Sequence, residues 1–464
     1  MRRQLPCRIA LAIGISLGVN FRALGGVCYD ADPPQCLEPC PCAESCYQDE
    51  DCTGEQICVP DCLPSHCGCA ARDGRWYPVT ADCAGRCIVP PVPTGPPTYT
   101  VVELPTHSEA HANAINNFGQ VVGEARFPGV HGRHACLWEG GTAIDLTPSL
   151  VNIWSTTEDI NNHGQILITG SGLAFVSHNG TLSELPRLYQ YGAATANAIN
   201  DAGQIVGTST LFGGAIHAVL WHDGVISDLY ATLGLGSAED INNTGHVAGG
   251  IWASEFWVPG IWRDGVLTEI PTLGGAAGLS FINDRDEVLG MSERASGDDD
   301  GFFPFLSGND GVIDLQRETG YGSDRTKTLL NNCGDVFLSG DLPSRGTDFF
   351  LYNRERGLRP IRGVTRPATP WKELIPMGMN DRGQIVGYGI VYDGGLRAFV
   401  MSPIAGDTDT DGDIDLGDMA HVQSAFTGTR KPDIPGCERA DLDGDADVDL
   451  SDFVRFKDRL GGPP

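Results

Sequence analysis

Apolar and polar residues alternate along the middle of the chain in short segments separated by polar turns. In AINNFGQVVG, residues 114–123, Ile115 leads into two asparagines, Gly119 follows, and a second apolar segment begins. Asn at the start of a tight turn can bond its own backbone, and Gly adopts the left-handed conformation that closes the turn. The pattern therefore predicts two antiparallel strands joined by a tight hairpin.

This segment recurs seven times, with 39 to 49 residues between successive turns. A period of that length is typical of one propeller blade. In the fifth copy Asp286 replaces the turn glycine, and Asp is one of the few residues that tolerate the left-handed conformation. The first asparagines of the seven turns are Asn116, Asn161, Asn200, Asn242, Asn283, Asn331 and Asn380.

Two further strands are expected in each repeat. A segment such as HACLW (134–138) or HAVLW (217–221) is followed by a short one that ends in Asp-Leu or Glu-Leu. The seventh copy stops at AFVMSP, 398–403, without its fourth strand, whereas YTVVELP, 99–105, carries the missing pattern before the first copy. Pairing these two segments would close a ring and remove both free sheet edges.

The fold prediction is therefore a mainly β protein with a seven-bladed β-propeller over residues 98–403. An open β-repeat solenoid, or two packed sheets, is the alternative. The units AINNxGQVVG…HAxLW…DL resemble the HAF-type extracellular repeat of bacterial exported proteins. That resemblance implies export and a β-repeat fold, and it supplies no catalytic residues to transfer.

The first residues have the pattern of a secretory signal peptide. Arg2 and Arg3 form a basic start, an apolar core occupies residues 9–19, and small residues follow. This core of about 11 residues is too short to span a bilayer, which needs about 20. We assign residues 1–26 to the signal peptide, and we expect no transmembrane segment and a secreted or cell-surface location, extracellular or periplasmic.

Residues 27–88 are predicted to form a small disulfide-rich module, because twelve of the sixteen cysteines lie between Cys28 and Cys87. So short a stretch has too little apolar surface to fold without cross-links. A zinc site is the alternative, and the connectivity stays open. CGCAARDGRWYPVTADCAGRC, 67–87, loosely resembles trypsin-inhibitor-like or von Willebrand C modules. The proline-rich residues 89–97 are expected to be a stiff, extended linker.

Charge and candidate chemistry narrow the function of the propeller. The formal net charge of −29 disfavours nucleic acid, whose phosphates must be met by Lys and Arg. His134 and His217 share one strand position, which indicates a structural role. Trp138, Trp221 and Trp262 share another and are expected to pack between blades, with sugar stacking as the alternative. The acidic loop 297–301 is expected to be solvated, with calcium binding as the alternative.

A glycosidase would need two carboxylates a few ångströms apart across a substrate. Carboxylates near the blade ends leave this open, and EDINN recurs in the second and fourth copies, which more often reflects architecture than catalysis. Cys136 is expected to be buried and Cys333 to lie at an exposed turn tip. The candidate carboxylates are Glu124, Glu158, Asp159, Glu239, Asp240 and Glu293.

The C-terminal residues 404–464 contain two aspartate-rich loops with calcium-loop spacing. Calcium takes six to eight oxygen ligands, and aspartates at alternating positions wrap oxygens around one point. The eighth places hold Ile414 and Val448, and an amphipathic helix is expected after each loop, which a disordered acidic tail would not show. The apolar faces are expected to hold Leu416, Met419, Val422 and Phe426 in the first helix and Leu450, Phe453, Phe456 and Leu460 in the second. The predicted ligands of the two Ca²⁺ sites are Asp407, Asp409, Asp411, Asp413, Asp415 and Asp418, and Asp441, Asp443, Asp445, Asp447, Asp449 and Asp452.

The paired loops resemble a dockerin type I module. Asp ends each loop in place of the bidentate Glu of ordinary EF-hands, and no helix precedes the first loop. Ala446 replaces the glycine that Gly412 supplies in the first loop, so the second site is expected to be the weaker one. The resemblance implies a small α-helical, EF-hand-like docking domain with a cohesin-like or other exported partner. Leu416-Gly417 and Leu450-Ser451 depart from the Ser-Thr pair of the best-known type.

Two functional hypotheses follow from these features. The first is an exported, non-catalytic binding or scaffold protein that uses the propeller as an interaction surface and docks through calcium-dependent loops. The second is a glycoside hydrolase or polysaccharide lyase that is targeted to a polysaccharide by the same loops. Carboxylates converging in the axial funnel would favour the enzyme, and a funnel lined by Gly, Ala and Ser would favour the binding protein.

Overall fold

A computed structural model of the chain gives the architecture, and most of its described residues belong to one β structure. The residues that the structure describes are 28–29, 35–36, 56–58, 67–71, 76–81, 87–88, 98–106, 108–150, 154–230, 236–253, 256–263, 265–295, 301–321, 327–342, 346–354, 356–361, 371–391, 395–404, 406, 414, 416–425 and 448–459.

Seven four-stranded antiparallel sheets make up the central domain, one for each sequence repeat. In the first six, the strands follow each other in chain order across the sheet. The strands of blades one to four are β8 (Ala110–Ile115), β9 (Val121–Ala125), β10 (His134–Glu139), β11 (Thr142–Asp145), β12 (Ser155–Ile160), β13 (Ile166–Gly170), β14 (Leu173–His178), β15 (Thr181–Glu184), β16 (Ala194–Ile199), β17 (Ile205–Thr210), β18 (Ile216–His222), β19 (Val225–Asp228), β20 (Ser237–Ile241), β21 (Val247–Ala253), β22 (Phe256–Arg263) and β23 (Val266–Glu269).

Blades five and six repeat the same order, and a one-turn helix, α1 (Leu315–Thr319), follows the fourth strand of blade five. Asp314 caps this helix by accepting a hydrogen bond from the backbone amide of Arg317. The remaining strands are β24 (Gly274–Ile282), β25 (Val288–Arg294), β26 (Phe303–Gly308), β27 (Gly311–Asp314), β28 (Thr328–Leu330), β29 (Val336–Leu342), β30 (Gly346–Asn353), β31 (Gly357–Pro360), β32 (Trp371–Met379), β33 (Ile385–Val391) and β34 (Leu396–Pro403).

The seventh blade is completed by the first strand of the domain, β7 (Tyr99–Glu103). The strand order in this sheet is β32-β33-β34-β7, and Val400 pairs with Val102. The Tyr99 hydroxyl also donates to the carbonyl of Gly383, 2.9 Å away. The predicted seven-bladed propeller and its mode of closure are confirmed, so the solenoid alternative is wrong.

The two ends of the propeller differ. One end, the turn face, carries the Asn-containing turns between first and second strands and the short turns between third and fourth strands. The other end, the loop face, carries the connections between second and third strands and those from one blade to the next, such as 126–133, 185–193 and 211–215. Turns on the first face are short and repeat in sequence, whereas the connections on the second vary in length.

Apolar side chains fill the spaces between adjacent blades. Trp221 is 1% exposed and packs in one cluster with Leu167 and Leu185 of the preceding blade. Its indole nitrogen donates to the Pro186 carbonyl, 2.7 Å away, and Trp138 bonds Pro105 in the same way. Trp262 is partly buried and packs against apolar residues of blades three and four, so the prediction that the three tryptophans pack between blades is confirmed.

Outside the propeller, the structure describes short elements only. Two short strands pair, and four others form a second sheet within residues 28–88. A helix follows each of the two predicted metal loops, as the apolar pattern there indicates. The cysteine side chains of residues 27–88, and hence the predicted disulfides, lie outside the described residues. The bounds are β1 (Cys28–Tyr29), β2 (Gln35–Cys36), β3 (Gln56–Cys58), β4 (Cys67–Ala71), β5 (Trp76–Ala81), β6 (Cys87–Ile88), α2 (Leu416–Ala425) and α3 (Leu450–Arg459).

Candidate functional site

A closed ring of seven asparagines holds the blades together at the turn face. Each side-chain amide donates to the backbone carbonyl of the equivalent asparagine in the next blade, and Asn380 closes the ring on Asn116 at 2.9 Å. Each side-chain oxygen also accepts backbone amides of its own turn, as Asn116 does from Phe118 and Gln120. The donor–acceptor distances around the ring are 3.1, 3.0, 3.0, 2.9, 3.2, 3.3 and 2.9 Å.

The residue after each of these asparagines forms a second ring. Its side-chain oxygen accepts the backbone amide of the equivalent residue in the preceding blade, from the Asn117 amide to Asn162 Oδ1 (2.9 Å) through to the Asp381 amide to Asn117 Oδ1 (3.0 Å). Asparagine and aspartate therefore serve equally well at this position. The members of the second ring are Asn117, Asn162, Asp201, Asn243, Asp284, Asn332 and Asp381.

The predicted left-handed turn residues are present. Gly119 has φ +78°, and Asp286, which replaces glycine in blade five, has φ 60°. Asp286 also has a partner of its own, because it accepts from His246 at 2.8 Å. A glycine inside the second strand is required for a different reason, because at Gly207 a Cβ atom would collide with the Thr195 carbonyl of the first strand. Sequence reasoning missed this second requirement.

The first strands of the blades surround a central cavity of about 290 Å³. Seven carboxylates and no Lys, Arg or His occur among the described residues that line it. The cavity is therefore acidic, and it is not the Gly-, Ala- and Ser-lined funnel that would favour the binding protein over the enzyme. Its carboxylates are Glu158, Asp159, Asp201, Glu239, Asp240, Asp284 and Asp381.

Five of these seven carboxylates accept hydrogen bonds that join one blade to another. Asp201, Asp284 and Asp381 belong to the second ring. Asp159 accepts the backbone amide of Ile199 in the next blade at 2.9 Å, and Asp240 does the same for Ile282 at 2.8 Å. Burial raises the pKa of Asp159 to about 6 and that of Asp240 to about 7, while these backbone hydrogen bonds act in the opposite direction. The recurring EDINN motif is thus explained in part by blade-to-blade bonding.

The two remaining carboxylates stand at irregularities of the first strands. The pairing register shifts between Thr157 and Ile160 around Glu158, and between Ala238 and Asp240 around Glu239. A bulge of this kind re-aims a side chain, and both glutamates line the cavity. Burial raises the pKa of Glu158, and the negative charge of Glu124 raises it further.

Glu124 is itself fixed by two neighbours near the loop face. The Glu124 carboxylate lies 3.0 Å from His111 Nδ1 and 3.2 Å from Arg133 Nε. Arg133 Nη1 also lies 3.1 Å from His111 Nε2 and 3.3 Å from His111 Nδ1, so the guanidinium group approaches both ring nitrogens. The His111 ring stacks on Tyr388 of blade seven, with ring centroids 4.1 Å apart.

The histidines of the third strands have a structural partner. His134 Nδ1 lies 3.0 Å from Asp145, and His217 Nδ1 lies 2.9 Å from Asp228, in both cases the Asp of the fourth-strand Asp-Leu motif. The same slot of blade five, Asp314, binds Arg294 at 2.7 Å. Pairing within the blade therefore accounts for the recurrence, as the sequence interpretation proposed. Over the described residues, no group of three or more His, Cys, Asp or Glu side chains is placed to hold a metal ion.

The loop face concentrates the exposed aromatic side chains. Five of the six exposed aromatic residues of the described chain lie on its connections, and Phe118 alone lies on the turn face. Contiguous apolar patches mark interaction surfaces, and two of these residues, Tyr191 and Phe212, contact the same ring, Tyr189. The five are Trp154, Tyr191, Phe212, Tyr230 and Phe302.

Three of the twelve predicted calcium ligands belong to the described residues. Asp418 and Asp452, the last ligands of each loop, are fully buried, and Asp449 donates its backbone amide to Asp452 Oδ2 at 2.8 Å. The other nine predicted ligands lie outside the described residues: Asp407, Asp409, Asp411, Asp413, Asp415, Asp441, Asp443, Asp445 and Asp447.

Two sequence expectations are wrong in detail. Cys333 is buried, with 3% exposure, because the turn that carries it packs against blade seven and its Sγ faces the Asp381 carbonyl at 3.5 Å. Leu450 is 68% exposed, so it does not belong to the apolar face of α3. The small apolar core of the C-terminal segment consists instead of Val422 of α2, Phe456 of α3 and Val448. Cys136 is buried as expected, and burial raises the pKa of its thiol.

Comparisons with known proteins give distant likenesses of fold only. No family model matches the chain, and no curated protein matches it. Among solved structures, a putative TolB from Agrobacterium tumefaciens is similar over 66% of this chain and 98% of its own, with 11% identity and a TM-score of 0.35. The propeller domain of the Trilobed protease from Pyrococcus furiosus is similar over 63% and 95%, with 8% identity and a TM-score of 0.38. In the part of the chain that the structure describes, no helix is long and apolar enough to cross a membrane.

Proposed function

We propose that the protein is an exported binding protein whose loop face is the interaction surface and whose C-terminal residues dock it to a partner in the presence of calcium. The observation that carries the proposal is the difference between the two ends of the propeller. The turn face is committed to two rings of blade-to-blade hydrogen bonds. The loop face carries variable connections and the exposed aromatic side chains.

The described part of the C-terminal segment fits calcium binding. Asp418 and Asp452 are both fully buried at the last place of a loop, where a ligand of a calcium loop closes on its ion, and Asp452 also accepts the Asp449 backbone amide. Ile414 and Val448 pack with Phe456, as the eighth places of paired loops should. Asp407, Asp409, Asp411, Asp413, Asp415 and Asp418 would hold one ion, and Asp441, Asp443, Asp445, Asp447, Asp449 and Asp452 would hold the other.

A docking surface next to these loops is supported by α3. Leu450 is 68% exposed and Val454 is 53% exposed, and residues four apart lie on one face of a helix. Leu450 is also the tenth place of the second loop, which takes part in partner recognition in the dockerin modules that this segment resembles. The partner would be a cohesin-like or other exported protein.

Calcium titration of the mature chain tests the metal part directly. We expect two binding events by calorimetry, with Asp411→Ala removing one and Asp445→Ala the other. Asp223→Ala, which changes an exposed residue of blade three, should leave both in place. Retention of both events in the double variant Asp411→Ala/Asp445→Ala would refute the assignment of the loops. A partner captured with calcium should be released by chelator and absent with that double variant.

A second candidate function is a glycoside hydrolase or polysaccharide lyase. It is favoured by Glu158, whose pKa is raised by burial and by the negative charge of Glu124, and by the pairing of Glu124 with Arg133. Two carboxylates in unlike environments are what acid–base chemistry on a sugar requires. Cleavage of a polysaccharide by the purified chain, lost in Glu158→Gln, would decide for the enzyme.

A further inference from the structure

Three aromatic rings on the loops of blade three form a cluster, here called the aromatic platform: Tyr189, Tyr191 and Phe212. Tyr191 is 77% exposed and Phe212 is 82% exposed, the highest values among the large apolar side chains that the structure describes. Both meet Tyr189 edge to face, with centroids 5.7 and 5.5 Å from its ring. Tyr189 therefore supports two rings that remain almost entirely in solvent.

The loops that carry the platform are held by hydrogen bonds on several sides. The backbone amide of Gly192 donates to the Tyr189 carbonyl at 2.8 Å, which closes the turn between the two tyrosines. Ligand binding to such a surface loses little conformational entropy, because the rings are already positioned. Further bonds join Arg187 Nη1 to the Gly192 carbonyl (3.0 Å), the Leu188 amide to Ser209 Oγ (3.1 Å), Trp221 Nε1 to the Pro186 carbonyl (2.7 Å) and the Leu211 amide to the Ala215 carbonyl (2.8 Å).

The geometry limits the class of ligand. An aromatic cage for a methylated ammonium group must leave an empty socket among its rings, and here the rings contact one another. A stable protein interface buries about 800 Å² on each partner, and this patch ends at once in Gln190, Gly213 and Gly214. The surface suits a small, flat, partly apolar ligand face.

The surroundings favour a neutral ligand that also makes hydrogen bonds. Glu184 and Arg187, 3.0 Å apart, stand beside the platform with 43% and 22% of their side chains exposed, and Gln190 is exposed between the two tyrosines. A net charge of −29 repels polyanions. A pyranose ring has an apolar C–H face that stacks on the electron-rich face of an aromatic ring, and hydroxyl groups around its edge.

We propose that the aromatic platform binds a neutral carbohydrate chain, with sugar rings stacked on Tyr191 and Phe212 and their hydroxyls bonded by Glu184, Arg187 and Gln190. The proposal specifies the class of ligand that the loop face binds, and so it rests on the proposed function of that face as the interaction surface. It uses none of the cavity carboxylates and none of the calcium loops.

Affinity electrophoresis of the mature chain through gels that contain a soluble β-glucan, a xylan or a galactomannan tests the proposal. We expect retardation by at least one of them, in calcium and in chelator alike. Tyr191→Ala/Phe212→Ala should weaken binding by roughly tenfold to a hundredfold, the effect of removing two contacts of the strength of an aromatic pair. Both side chains are exposed, so the variant should melt at the wild-type temperature.

Two controls separate stacking from other causes. Tyr191→Phe keeps the ring and should retain most of the binding, and Phe118→Ala removes an exposed ring of the turn face and should retain all of it. Absence of binding to all three polysaccharides, or equal binding by the double alanine variant, would overturn the proposal. So would sedimentation showing self-association that the double variant abolishes. If one of these outcomes is found and the chain still captures a protein partner in the presence of calcium, the proposed docking function is unaffected.

Discussion

Partial burial of two aspartates, Asp159 and Asp240, in the wall of the central cavity makes the stability of the propeller dependent on pH. The pKa of Asp240 is about 7 in the folded chain, raised by burial from 3.8. Between those values the folded state holds a proton that the unfolded state has lost. The stabilisation is complete below about pH 4 and is lost as the pH rises through 7, by about 1.4 kcal/mol per pH unit in that window.

Asp240→Asn should remove this contribution, because the amide stays neutral at every pH. We expect the free energy of unfolding, measured with urea at pH 5, 6 and 7, to fall less steeply with pH in the variant than in the wild-type protein. The matched control is Asp223→Asn, since Asp223 is exposed and its positive φ of 50° suits Asn. A variant slope equal to that of the wild type would show that Asp240 titrates normally.

The turn asparagines show which hydrogen bonds of a residue can be predicted from the sequence and which cannot. Their bond to their own turn is local, so the segment AINNFG predicts it. Their second bond, from Asn116 to the Asn161 carbonyl, joins residues 45 positions apart, and only the closed ring brings them together. The roles of Asp159 and Asp240 stayed undetermined for the same reason, since their partners Ile199 and Ile282 belong to the next blade.

At the level of single elements, β7 has two structural roles. Its five residues supply the outer strand of blade seven, while the other three strands come from the end of the domain. Tyr99, 1% exposed, and Val101, 4% exposed, also enter the largest apolar cluster. The strand therefore provides both the last sheet pairing and part of the core between blades six and seven.

Removal of β7 should open the ring. A chain that begins at residue 104 would leave β34 as an unpaired edge and would expose Phe399 and Met401, two fully buried neighbours. We expect a lower melting temperature and aggregation on heating, measured by circular dichroism and light scattering. A chain that begins at residue 98 keeps β7 and is the matched control. Equal melting temperatures for the two chains would contradict closure by β7.

The sequence was informative about elements because each blade repeats, and repetition exposes the strand and turn pattern seven times over. It was less informative where an element depends on close packing. The glycine at 207 is required by the bulged strand beside it, and no local pattern indicates that collision. Leu450 likewise fitted a helical apolar face by spacing alone, yet the helix turns Phe456 and Asp452 inward in its place.

On the scale of the whole molecule, the residues that hold the blades together and the residues proposed to bind a ligand lie at opposite ends of the propeller. Within the propeller, the turn face carries the rings that tie the blades together, so substitutions there should act on stability. The loop face carries rings such as Tyr191 that contribute little to the core, so substitutions there should act on binding. On the function proposed above, the C-terminal segment would add a third requirement, calcium, that neither face shares.

Calcium removal should therefore affect residues 404–464 and leave the propeller folded. The loop carboxylates repel one another without the ion, so the small core of Val422, Val448 and Phe456 should come apart. Limited proteolysis with mass spectrometry should show new cleavage in 404–464 after chelation, and Asp445→Ala should show part of it even with calcium. The melting temperature of the propeller should not change. A propeller that melts earlier in chelator would place an essential metal within the blades, and a C-terminal segment equally resistant with and without calcium would mean that its fold does not depend on the ion.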